Sequence, residues 1–277
     1  MLQGPQLVTA EWLAQAYSDS LDWLRALDTA PEQLEAYIAA AKSQRLGIRF
    51  ERLLGFWLQY HPRFVLRACN VQVRGHVRTL GELDFVFTDL ATSQTLHWET
   101  AVKFYLAWPE AAPSEWMGPS GRDTLNRKGQ HALQKQLTLP QTAEGQQALA
   151  KHGIAELESQ LLVKGLLFHH APKKLPTLGI SAQLHPQRER GTWCRMEEAE
   201  ALLPAGQYAL LERKQWLGKW QSSQQAQVLN REGMLARCSA VQHQQPTCWV
   251  RVAQTKGVWI EEERWFIAPA GWPHLMQ

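Results

Sequence analysis

The chain is poor in cysteine, and none of its cysteines is spaced for a metal. Cys69, Cys194, Cys238 and Cys248 are scattered through 277 residues with no Cys-x-x-Cys pair. That argues against a zinc site or a disulfide framework and for thiols kept in a reducing compartment. No apolar run approaches membrane-spanning length, and no basic region followed by an apolar one opens the sequence. The expectation is a soluble, cytoplasmic protein with no membrane partner. A dominant charge is missing too: 29 Lys and Arg against 26 Asp and Glu leave a net +3, so local clusters carry more information than the total. Phosphate-loop signatures are absent, which counts against nucleoside-triphosphate hydrolysis. There is no internal repeat or low-complexity tract. What the chain does have is an ordinary 45% hydrophobic content, enough for a real core, and 13 tryptophans. Seven tryptophans lie from Trp193 onward, giving the carboxy-terminal part a character of its own.

The apolar spacing of Trp12, Leu13, Tyr17, Leu21, Leu24 and Leu27 predicts a helix over 9–28 with Thr9 as its N-cap. Pro31 suits the first turn of a second helix, about 31–42. A third, at 44–60, carries the stripe Leu46, Phe50, Leu53, Leu54, Trp57 and Leu58, with Glu51 near its edge. Strands follow at 64–74, 78–87 and 95–106. In the second, Leu83, Phe85 and Phe87 alternate with Glu82, Asp84 and Val86; in the third, Trp98, Thr100, Val102, Phe104 and Leu106 alternate with His97, Glu99, Ala101, Lys103 and Tyr105. A Pro- and Gly-rich connection from Pro109 to Gly121 comes next. Asp123 is a natural N-cap for a helix reaching Leu137, whose polar face holds Arg127, Lys128, His131, Gln134 and Lys135. A helix at 143–157 and a buried strand at 161–169 complete this part. Short gaps between the first strands predict an antiparallel meander, and the strand–helix–strand passage predicts a parallel crossover. Beyond a linker-like stretch, Pro172–Gly179, the pattern changes to a short helix at 195–203 and to strands and turns, with a hairpin loop at Gln254–Gly257. Three segments result: a helical extension at 1–43, a mixed α/β core at 44–171, and a β-rich region at 172–277 that is either a separate domain or an extension of the core sheet.

Asp84 and Glu99 fall on neighbouring strands, with Lys103 close behind and Glu51 on the preceding helix. Charges inside an apolar run are costly unless they are paired, solvated or holding a metal. Two carboxylates at one end of a sheet can hold a divalent cation. Such a cation lowers the pKa of a bound water and offsets charge on a phosphorane-like transition state; a nearby lysine can orient the water or stabilise developing charge. The same residues also fit a structural ion-pair network. The Arg127–Lys135 face is, by itself, an ordinary solvated helix surface that gains meaning only beside a cleft that takes phosphates. His169-His170 has no further ligand spacing to support it as a metal pair.

Gly81-Glu-Leu-Asp84 with the downstream Glu99 and Lys103, in this order of elements, resembles the PD-(D/E)XK nuclease superfamily over about 44–169. More narrowly, Arg45-Leu-Gly-Ile-Arg-Phe-Glu51, Thr79-Leu-Gly-Glu-Leu-Asp84 and His97-Trp-Glu-Thr-Ala-Val-Lys-Phe-Tyr-Leu106 resemble a bacterial family of uncharacterised proteins, a domain of unknown function, assigned to that superfamily. The resemblance implies a restriction-endonuclease-like core with a central mixed sheet flanked by helices, and a metal-dependent nuclease acting on nucleic acid, DNA first. It makes Asp84 and Glu99 ligands of Mg²⁺ or Mn²⁺, Lys103 the catalytic lysine, and Glu51 the acidic residue of the first core helix. It puts substrate contacts on the helix carrying Arg127, Lys128, His131, Gln134 and Lys135. One departure stands out. The usual acid–lysine spacing is two residues, and here it is four, with Ala101 at the usual lysine position. In a regular strand the two Cα atoms are then ~13 Å apart rather than ~7 Å. The lysine reaches back, or a local irregularity shortens the gap, or the fold binds nucleic acid or a protein partner without cutting.

Overall fold

The structure is a computed structural model, and it describes residues 6–108, 115–171, 190–240 and 245–273. The start of the 109–121 connection and the Pro172–Gly179 linker lie outside the described residues. The chain forms two compact units, Leu2–Val102 with Gly129–Lys164 and Lys103–Lys128 with Gly165–Gln277. None of the four cysteines is in a disulfide. No helix among the described residues is long and apolar enough to cross a membrane.

The first unit opens with α1, Ala10–Thr29, capped by the Thr9 side chain, which accepts from the Trp12 N–H at 3.1 Å. Two more helices follow, α2 (Glu32–Ala39) and α3 (Leu46–Tyr60). Then come β1 (Phe64–Arg74), β2 (Thr79–Asp89) and β3 (Gln94–Trp108), an antiparallel meander as the short gaps require. Strand β5 (Glu158–His170) lies next to β3. His97 meets Ser159 and Trp98 meets Gln160, so the two strands advance together, in parallel. The result is a mixed sheet with helices on both faces. On one face Phe64, Phe85, Phe87, Leu96 and Trp98 pack under Ala16 of α1 and Leu54 and Leu58 of α3. On the other, Val71, Val73, Leu83 and Val86 pack under Leu139 and under Ala148 and Leu149 of α5, Ala143–Ala150.

That division corrects one expectation. Leu83 does not share a face with Phe85 and Phe87. The β1–β2 pairing runs from Cys69↔Phe85 to Val71↔Leu83 and skips the pair between them, Asn70 and Asp84. Asn70 has φ 53°, the left-handed region that Asn tolerates better than most residues. A residue in that conformation breaks the period of two, so Ala68 and Val71 enter the same core layer although they are three apart.

Three helix expectations also change. The helix after the connection, α4, is Leu125–His131, and Thr124 rather than Asp123 caps it: the Arg127 N–H points at Thr124 Oγ1, 3.3 Å away. It passes into a π-helical turn, Ala132–Gln136, closed by Leu137 N–H to Ala132 O at 3.1 Å. Helix α5 stops at Ala150, well short of 157, and the chain turns at Gly153 with φ 67°.

In the second unit β4 (Glu115–Met117) pairs with the end of β3. Strand β6 (Arg190–Arg195) is parallel to both β5 and β11 (Val258–Ala268). Strand β10 (Thr247–Thr255) is antiparallel to β11 and to β7 (Gln207–Leu211), which pairs with β9 (Val228–Asn230); a two-residue β8 (Gln221–Ser222) adds to β11. The predicted hairpin is there, with longer strands than expected and a tight turn at Lys256-Gly257, both at positive φ (51° and 81°). Helices α6 (Met196–Leu202) and α7 (Arg231–Ala240) cover this sheet through Ala199, Met234 and Cys238 against Tyr208, Trp249 and Ile267.

Candidate acidic site at the end of the meander

The β2–β3 ladder runs from Asp89↔Gln94 to Phe85↔Trp98 and stops there. The next residues, Asp84 and Glu99, fall where the strands cease to pair. Asp84 takes over the bonding that the ladder gives up: its Oδ2 accepts from the Thr100 N–H at 2.8 Å and the Thr100 hydroxyl at 3.0 Å. Its Oδ1 is left outside those bonds. Glu99 Oε1 accepts from Gln136 Nε2 at 3.3 Å, while Glu99 Oε2 is buried and has no partner. Gln136 gets that close because residue 81 is glycine. A Cβ there would stand 2.8 Å from Leu139 Cδ2 and 3.1 Å from Gln136 Oε1. The Gly81-Glu-Leu-Asp84 run thus places the acid and also lets the segment over it approach.

Glu51 of α3 and Glu82 of β2 join the cluster. Glu82 is tied across the hairpin to Gln72 Nε2. Burial, then the Asp84 and Glu82 charges, push Glu51 up to about 7. Burial, then the Asp84 charge, with smaller contributions from Glu51 and Glu82, push Glu99 up to about 8, against the pull of the Gln136 bond. Burial followed by the Asp84 charge raises Glu82. Burial also raises Asp84, and the two Thr100 bonds only partly oppose it. Asp84 therefore acts on all three other acids. Among the described residues none of the four forms an ion pair. Next door, burial drives His97 down to about 4, so that ring is neutral and adds no positive charge.

A divalent cation would relieve such a cluster, and the donor set fits one. The oxygens are hard, one is buried without a partner, and carboxyl groups with raised pKa release protons when a cation replaces them. No three His, Cys, Asp or Glu side chains among the described residues are already gathered as a ready-made cage. Mg²⁺ needs no such cage, because it keeps several waters and takes one or two carboxylates from the protein.

The remaining predicted residues are distributed as follows. Lys103 lies in the second unit, 34% exposed, with its Nζ 3.9 Å from Asp123 Oδ2. Strand β5 fixes the backbone there: a Cβ on Gly165 would fall 1.7 Å from the Lys103 carbonyl oxygen. Arg127 and Lys128 are exposed residues of the second unit, while His131, Gln134 and Lys135 are exposed residues of the first. Sequence reasoning missed Gln136, Thr100 and Asn70. Gln136 stands two residues past Gln134, turned inward in the π-helical segment. Glu82 had a signal, since it is two residues from Asp84 on the same strand.

One family model matches residues 2–268, described as Domain of unknown function (DUF1853). No curated protein and no solved structure matches the chain.

Proposed function

The chain belongs to the DUF1853 family, a domain of unknown function, and within it we propose a bacterial PD-(D/E)XK nuclease-like core: a divalent-cation-dependent phosphodiesterase whose substrate is nucleic acid, DNA in the first place. The observation that carries this reading is Glu99 Oε2, buried and partnerless among three further carboxylates, none of which is paired with a cation among the described residues. Asp84 and Glu99 would hold Mg²⁺ or Mn²⁺. When bound, the ion would supply charge neutralisation for a phosphodiester and a more acidic water. Thr100 holds Asp84 through two bonds, so its free oxygen is presented rather than loose. Gln136 fixes one oxygen of Glu99 and leaves the other for a ligand. Glu51, with its pKa near neutrality, is suited to accept a proton at pH 7. Lys103 is the candidate for countering charge that develops on the phosphate.

Incubation of the purified protein with duplex and single-stranded DNA and with RNA, in Mg²⁺ and in Mn²⁺, tests the reading. Cleavage is expected, and Asp84→Asn is expected to lower it at least ~100-fold while leaving the fold in place, because an amide oxygen still accepts from Thr100. No cleavage by the wild type in either metal, with titration calorimetry showing no difference in metal binding between wild type and Asp84→Asn, removes it.

A second reading is favoured by one observation, the Lys103–Asp123 ion pair at the stretched spacing. In it the core binds nucleic acid or a protein partner without cutting. Lys103→Met separates the two. On the nuclease reading it lowers the rate by ~10²–10³ with cation binding unchanged. Salt-sensitive binding to DNA with no cleavage at all, by wild type and variant alike, selects the second reading.

A further inference from the structure

Residues 64–81 contain three arginines, one histidine and no acidic residue. They form β1 and the start of β2, so this one-signed stretch becomes one arm of a hairpin and its tip. The hairpin is well closed: pairing continues to Arg74↔Thr79, and the Gly75 N–H donates to the Arg78 carbonyl at 2.9 Å. At this closed end Arg74, His76, Val77 and Arg78 are all exposed, and Val77 is 97% exposed. Among the described residues, neither Arg74 nor Arg78 has an ion pair or a side-chain hydrogen bond. A hydrogen-bonded turn that presents two unpaired guanidinium groups beside a fully exposed apolar side chain fits a partner with anionic and apolar surface side by side. Duplex DNA offers that, with phosphates lining a groove floored by bases.

The ribbon also relates this tip to the acidic site of the same unit. Asp84 lies in β2 and Arg78 is the turn residue just before that strand, six residues away, a span of at most ~20 Å. Nucleotides of a duplex rise ~3.4 Å each along one strand, so the span matches about six nucleotides.

We propose that the β1–β2 hairpin tip is a duplex-DNA grip, with Arg74 and Arg78 on backbone phosphates and Val77 against the groove floor. This inference rests on the nucleic-acid reading of the acidic site and assigns it a substrate form, double-stranded, and a register, with protein contact extending about six nucleotides from the scissile bond.

The test uses the full chain in EDTA, where nothing is cut, with a fluorescent 20-base-pair duplex and the matching single strand titrated across a range of salt concentrations. Wild type is expected to bind the duplex more tightly than the single strand. The Arg74→Ala/Arg78→Ala double variant is expected to bind the duplex about tenfold more weakly or worse. Its log–log salt slope should be shallower by about two, at ~0.9 per lost phosphate contact. Arg74→Lys/Arg78→Lys should restore most of the slope, since each retains its charge. All these positions are exposed, so circular dichroism should be unchanged in each variant. If wild type binds the duplex and the alanine double variant matches it in affinity and slope, the grip is overturned and the acidic-site reading stands. If single strand and duplex bind equally, the duplex assignment is overturned. If wild type binds neither, the nucleic-acid reading fails and the grip fails with it.

Discussion

Glu99→Gln is expected to have effects of opposite sign with and without a divalent cation. In the cation-free wild type, Glu99 keeps its proton up to about pH 8, whereas the unfolded chain gives it up near 4.5. Between those values the native state holds more protons than the unfolded state, so stability falls as pH rises, by at most about 1.4 kcal/mol per pH unit for this one group. Below 4.5 both states are protonated and the slope vanishes; above 8 both are ionised and the loss is complete. Gln has no such proton, so the variant should lose less stability over the window. Its Tm advantage over the wild type should be small at pH 5 and largest near pH 8. Adding Mg²⁺ reverses the order. The wild type gains RT ln(1 + [Mg²⁺]/Kd), and the variant, having lost the partnerless oxygen's charge, gains little. Cation binding by the wild type at pH 7 should also release protons, seen as a buffer-dependent calorimetric enthalpy. A flat cation-free Tm for wild type from pH 5 to 8, or equal Mg²⁺ stabilisation of both proteins, would show that the four acids are not a cation site.

The parts of this arrangement that could be read in the sequence are those that depend on period and order. Successive strands with short gaps must pair antiparallel, and that alone brings Asp84 beside Glu99. Thr9 caps α1 because a hydroxyl at that position meets the N–H three residues on. What could not be read depends on breaks in period. Leu83 leaves the layer of Phe85 and Phe87 where the ladder lacks its Asn70–Asp84 pair and Asn70 is left-handed, and nothing in an Asn between Cys69 and Val71 announces that break. The π-helical turn adds a residue to the helix after Leu125, so Gln136 reaches Glu99 while Gln134 and Lys135 stay in solvent. Asp123 looked like a cap by residue type. The neighbouring Thr124 took that role, and Asp123 faces Lys103 instead. Lys103 illustrates the general limit: a spacing of four fixes its side of a regular strand, but its charged end went to a partner twenty positions further along the chain.

Asp89→Ala is expected to destabilise the first unit more than any change at the acidic site while sparing that site. Asp89 is fully buried at the far end of β2 and accepts four bonds: Arg63 Nε at 2.9 Å, Arg63 Nη2 at 2.8 Å, Trp12 Nε1 at 3.1 Å and the Ala91 N–H at 3.0 Å. Burial is the largest single influence and would raise its pKa; the Arg63 hydrogen bonds and charge, with the Ala91 and Trp12 bonds, together outweigh it and hold the carboxyl below the usual range. Removing the carboxylate strands a guanidinium that is 8% exposed and whose remaining acidic partner is Asp19, 37% exposed. It also unhooks the Trp12 indole, and with it α1, from the sheet. Breaking a buried pair from one side costs ~3–5 kcal/mol, or a Tm drop of roughly 10 °C for a chain of this size. Since the folded pKa is depressed, the stabilisation is present above the unfolded value of 3.8 and lost as pH falls through the folded one. The wild-type and variant curves should therefore converge in strong acid. Asp89 and Asp84 are five residues apart, ~17 Å along the strand, so Mg²⁺ affinity per folded molecule should not change. The paired variant Arg63→Met/Asp89→Leu, which leaves no charge behind, should recover most of the loss. A single variant that loses under ~1 kcal/mol, or a double no better than Asp89→Ala, would mean that this ion pair does not anchor α1.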